Sequence, residues 1–113
     1  MPVDPRLTTQ MLVGALRRRV EAAGGFASVL HKGDPISGVI LIQTMDRGVR
    51  GGLFERVSNL DGGGALLRCG PASDDDPEAL DQYLARRRRA DPDLWVVELD
   101  IPDAERFAAE TIC

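Results

Sequence analysis

Apolar residues recur at Leu12, Leu16, Val20 and Ala23, the spacing of one helical face, with Thr8 or Thr9 ahead of them to cap a helix and Gly24-Gly25 behind to end it. A first helix to about Ala23 is therefore predicted, after which the period changes. Phe26–His31 reads as a strand, Gly33-Asp34-Pro35 as a turn, and Val39–Thr44 as a continuous β-branched and apolar run suited to a central strand. Asp46–Gly52, with three glycines and two arginines, is predicted to be a loop or wide hairpin. Leu53–Val57 then alternates apolar and polar, as a half-buried strand does. Asn59–Gly64 carries the glycines of a hairpin loop, and Ala65–Cys69 is the next strand.

Pro71–Glu78 is a polar loop ending in a helix start, because Asp76 can cap while Pro77 takes the first helical position. The second helix runs to about Ala90, where Asp91-Pro92 stops it, and its acidic entrance and arginine-rich exit both complement the helix macrodipole. In the strand Leu94–Leu99, Trp95, Val97 and Leu99 share one face while Leu94, Val96 and Glu98 share the other, so the strand is predicted to be interior. Pro102–Glu110 is read as a short closing helix around Phe107, with nothing beyond Ile112 to anchor it. The order α-β-β-β-β-α-β, with that short C-terminal helix, predicts an α+β fold. Its mainly antiparallel sheet of four to five strands is covered by two amphipathic helices, with the last strand central. Residues 1–113 are taken as one domain, with 1–7 and 111–113 as flexible ends. The two helix–strand units echo one another, Leu12-x-x-x-Leu16-x-Arg18-Arg19 against Leu80-x-x-x-Leu84-x-Arg86-Arg87, a similarity that amphipathic helices also reach by chance.

Composition narrows the class. A chain of 113 residues folds as one core and buries roughly two thirds of its unfolded surface. An apolar fraction of 43% with 28% charged residues excludes collagen-like, mucin-like and wholly disordered chains. No apolar run is longer than Val39–Ile42, too short to cross a bilayer. The opening MPVDPRL lacks the basic and apolar regions of a signal peptide, so a soluble, cytoplasmic protein is expected. The net charge of −4 denies the chain the basic field that draws proteins to phosphate backbones.

The candidate chemistry lies with arginine. At 100° per residue, Leu12, Leu16, Val20 and Ala23 fall within about 80°, and Arg19 lies beside Leu12 on that side. Arg87 falls between Tyr83 and Leu80 on the second helix, so each apolar stripe ends in an arginine. Such a guanidinium can lay its stem over the core rim, pair with Asp91, Glu98 or Asp100, or line a pocket and bind a carboxylate or phosphate bidentately. Arg19, Arg87, Asp91, Trp95 and Glu98 are the candidate ligand-binding residues, and an exposed Trp95 would be a recognition residue. The run Arg86–Arg89 spreads over about 300° of the helix and cannot present one face. With aromatics at 4%, stacking platforms are also scarce, so nucleic acid is disfavoured as a partner.

Asp74–Asp76 lacks the register of a calcium loop, and Gly48–Gly52 and Gly62–Gly64 form no phosphate-binding glycine motif. Cys69 and Cys113 have neither CxxC nor His-spaced partners and are read as a buried thiol and a frayed tail thiol. His31 is the only histidine, which leaves no second imidazole for a zinc shell, and His31-Lys32-Gly33-Asp34 is a versatile but common turn composition.

The chain resembles the uncharacterised, mostly alphaproteobacterial family called domain of unknown function 1491. The matching stretches are Leu12–Arg19 running into Glu21–Phe26, then Lys32-Gly33-Asp34 with Gly38–Leu41, and Tyr83-Leu84 through the arginines to Asp91–Glu98. The resemblance spans about Arg6 to Phe107. It implies no activity, cofactor or partner, and its pattern places arginine where this chain has His31, so a catalytic role shared through His31 is not implied. The reading that follows is a small non-enzymatic binding or accessory module, with no cofactor or metal, whose helix-end arginines take a protein or a small anion. The alternatives are RNA or DNA binding through Arg86–Arg89, and an enzyme using His31 with Asp34 or Glu98.

Overall fold

The structure, a computed structural model, describes residues 7–58, 60, 63–71 and 76–113. The expectations for the opening segment 1–6, for Asn59, Asp61 and Gly62 of the hairpin loop, and for Ala72–Asp75 of the acidic loop lie outside these residues. The elements are α1 (Thr9–Ala22), β1 (Phe26–His31), β2 (Ile40–Asp46), β3 (Val49–Ser58), β4 (Gly64–Cys69), α2 (Pro77–Ala90), β5 (Trp95–Asp100) and α3 (Ala104–Ile112). They build an α+β fold around one five-stranded sheet of order β1-β5-β2-β3-β4. β5 is inserted between β1 and β2, antiparallel to β1 and parallel to β2, so the sheet is mixed; the β2–β3 and β3–β4 pairs are antiparallel. Among the described residues no helix is long and apolar enough to cross a membrane.

Local chemistry sets the element ends. The Thr8 hydroxyl accepts from the Met11 amide at 3.2 Å and starts α1, and Gly24, at φ +90°, ends it. Asp76 accepts from the Glu78 and Ala79 amides at 3.1 and 3.2 Å to start α2. Leu12, Leu16 and Val20 are buried together with Val13, whereas Ala23, expected on the apolar face, is the exposed C-cap.

The alternation of β5 decides the layering. Trp95, Val97 and Leu99 join Ile40, Ile42 and Phe54 under α1 and α3, while Leu94 and Val96 join Leu41 and Leu53 under Leu80 of α2. The two faces are therefore covered unequally, by two helices on one side and one on the other.

Two expectations are corrected. Residues 46–52, expected as a loop or wide hairpin, form a tight hairpin: the ladder continues through Met45↔Arg50 and Asp46↔Val49, and the turn is confined to Arg47 and Gly48, both at positive φ (52° and 78°). The Asp100 carboxylate accepts from the amides of both turn residues at 2.8 and 3.0 Å, a long-range contact that holds a non-glycine residue in the left-handed region. Gly51 belongs to a register irregularity, where an added Cβ would lie 2.5 Å from the Thr44 hydroxyl. The stretch 111–113 is packed rather than loose, since Ile112 is fully buried and Cys113 packs against the α1–α3 core instead of fraying.

Candidate functional site

The segments carrying the family resemblance are distant in sequence and meet around the start of β5. The Trp95 indole N–H donates to the Asp34 carbonyl at 2.8 Å, the Asp34 amide to Asp93 at 3.0 Å, and the Trp95 amide to Val39 at 2.8 Å. Gly33 and Gly38 make this approach feasible: a Cβ would lie 2.0 and 2.4 Å, respectively, from the Asp93 carbonyl oxygen. Trp95 is thus a core residue, 3% exposed, and not a surface recognition residue. The same clasp orients His31, whose Nδ1 lies 2.7 Å from the Leu94 carbonyl oxygen. A carbonyl only accepts, so Nδ1 carries the proton, and in the neutral ring Nε2 is left with its lone pair.

The five candidate residues do not converge on one pocket. Arg19 lies on the α1–α3 side, where it pairs with Glu110 at 2.5 Å, donates to the Thr111 hydroxyl at 3.2 Å and stands 5.7 Å over the Phe107 ring. Arg87 lies on the α2 side, pairing with Glu55 of β3 at 2.5 Å, donating to the Tyr83 hydroxyl at 2.8 Å and standing 5.8 Å over that ring. Their partners are therefore Glu55 and Glu110, rather than Asp91, Glu98 or Asp100. Asp91 caps α2 and accepts from the Asp93 amide at 3.1 Å. Glu98 is half-buried in β5, in register with Ser28 and Gln43.

The Arg87 cluster is electrostatically quiet. Burial works against the Arg87 charge, but hydrogen bonds to Tyr83 and Glu55 outweigh it and hold the guanidinium more firmly protonated than usual. Burial pushes the Tyr83 phenol and the Cys69 thiol up, with the Tyr83–Cys69 hydrogen bond opposing the latter. Burial likewise raises the Cys113 thiol. Both thiols are free and neither is activated as a nucleophile. Among the described residues no group of three His, Cys, Asp or Glu side chains is placed to hold a metal ion.

Sequence reasoning weighed Arg88 and Arg89 only within the run Arg86–Arg89, as an alternative nucleic-acid contact, and did not bring them to His31. Arg88 and Arg89 are exposed, have no acidic partner among the described residues, and line an open pocket of about 340 Å³ with His31, Ala85 and Pro92. An adjoining hollow of about 270 Å³ shares His31, Ala85 and Arg88 but also contains the carboxylate of Asp81. The run of four arginines is thus divided. Arg87 turns to the sheet while Arg88 and Arg89 turn to the end of β1, as 100° per residue requires; only the position of β1 could have revealed that His31 stands opposite.

Fold and site together define a small α+β domain in which a pocket lined by Arg88, Arg89 and His31 adjoins the hydrogen-bonded start of β5. The chain belongs to the family described as "Protein of unknown function (DUF1491)", whose profile matches residues 7–109. It is similar to two solved structures of a DUF1491 family protein from Caulobacter crescentus CB15. The NMR structure is 38% identical over 90% of this chain and 92% of that one, with a TM-score of 0.72. The crystal structure is 37% identical over 89% and 94%, with a TM-score of 0.74. A solution structure of a protein from A. tumefaciens is 33% identical over 87% and 88%, with a TM-score of 0.68. Among curated proteins, none matches.

Proposed function

We propose that this chain is a small, cytoplasmic, non-enzymatic binding or accessory module that takes an anionic group, free or displayed on a protein, at the C-terminal turn of α2. The observation that supports it is the pair Arg88 and Arg89, exposed beside His31 without an acidic partner among the described residues, on a helix anchored one residue earlier by Arg87. Guanidinium groups so arranged offer several donors to a carboxylate or phosphate. Arg87 and Arg19 then serve by positioning, since each already has a carboxylate. A nucleic-acid backbone would find Arg87 neutralised by Glu55, which favours a compact anion over an extended one.

The test is to retrieve tagged protein from its native host beside an Arg88→Gln/Arg89→Gln double variant and to identify bound molecules by mass spectrometry. A ligand held by the parent and missing from a variant of unchanged Tm is expected. An identical bound set from both would overturn the reading.

A further inference from the structure

Resting on that reading, we propose that the pocket between β1 and the end of α2 binds an oxyanion that keeps an O–H of its own, orthophosphate being the simplest. Two kinds of contact converge there. Arg88 and Arg89 can only donate, so they address the charged oxygens. His31 is different, because its Nδ1–H is committed to the Leu94 carbonyl at 2.7 Å, so that a ring carrying one proton has Nε2 as its acceptor.

An anion without a proton leaves that acceptor facing anion oxygen, whereas hydrogen phosphate donates its P–OH to Nε2 while its remaining oxygens take the guanidinium protons. The clasp that fixes the Leu94 carbonyl also fixes the ring, because Leu94 and Trp95 are fully buried or nearly so and the Trp95 indole is tied to Asp34. The anion sits in the 340 Å³ pocket, because the adjoining hollow brings the Asp81 carboxylate. Pro92 and Ala85 complete the wall without a competing charge.

Three dianions of equal charge separate this from plain ionic attraction. Near pH 8, where imidazole is ordinarily neutral, hydrogen phosphate still carries a proton, whereas sulfate does not and methyl phosphate, with a second ionisation near about 6, does not. NMR titration of the labelled full chain at constant ionic strength, following the Arg88 and Arg89 side-chain N–H groups and the His31 ring, reads all three. Phosphate is expected to bind about tenfold more tightly than sulfate or methyl phosphate, the worth of one hydrogen bond made or missed. In His31→Phe the preference should collapse while sulfate binding persists, and in Arg88→Gln all three anions should weaken. Equal binding of the three dianions to the parent chain would overturn the hydroxyl-selective site and leave the anion-binding module intact. Saturation by none of them, alongside a host ligand still lost from the double arginine variant, would overturn this inference alone. No binding of either kind would remove both.

Discussion

Arg19 and Arg87 occupy equivalent places in two similar helix signatures, and each ends with a glutamate at 2.5 Å and an aromatic ring 5.7 or 5.8 Å away. What differs is water. The Arg19 and Glu110 side chains are 44% and 47% exposed, whereas Arg87 and Glu55 are 26% and 27% exposed. The exposed pair joins α1 to α3 over a face closed, among the described residues, by fourteen buried ones, while the other helps a single helix hold a face with a described core of five. Similar sequence thus yields a marginal surface contact on one side and a structural tie on the other, because the worth of an ion pair depends on how far solvent screens it.

The largest test of this asymmetry removes apolar mass from each face. Trp95→Ala should cost about 3–5 kcal/mol and Leu80→Ala about 2–3 kcal/mol by denaturant unfolding, both being buried but only Trp95 lying in the larger cluster. The reverse order would break the comparison. Double-mutant cycles sharpen it, with coupling of about 1–2 kcal/mol expected between Arg87 and Glu55. For Arg19 and Glu110 about 0.5 kcal/mol or less is expected, and equal couplings would show that burial does not set the difference.

The smallest effect is alkaline. Because folding raises Cys69 and Tyr83 above their ordinary values of 9.0 and 10.0, the folded state keeps their protons longer than the unfolded chain. Their contribution is therefore complete below those values and is lost as pH rises through the raised ones. Stability should fall from near pH 9 upward, less steeply in Tyr83→Phe, and a parent curve flat to pH 11 would contradict the shifts.

Much of the secondary structure was legible because it rests on local signals. Thr8, Gly24, Asp76-Pro77 and Asp91-Pro92 act within a few residues of themselves, and the two-sided apolarity of Leu94–Val97 foretold an interior strand. The β2–β3 connection was expected as a loop or wide hairpin, and its tightness was missed because its glycines look like loop material, while the turn rests on an arginine in the left-handed region steadied by Asp100 from a different strand. Ile112 was underrated for a related reason: its anchor is the α1–α3 core, which no local pattern displays.

The sequence by itself determined an α+β fold, the helix-end arginines and the absence of an extended apolar segment, since periodicity, capping and charge are properties of neighbours along the chain. Only the tertiary structure decided which carboxylates Arg19 and Arg87 would meet, that Gly33 and Gly38 serve to admit the Asp93 carbonyl, and that Arg88 and Arg89 would stand beside His31. Those outcomes depend on the insertion of β5 between β1 and β2, a pairing between residues some sixty positions apart that local preferences do not encode.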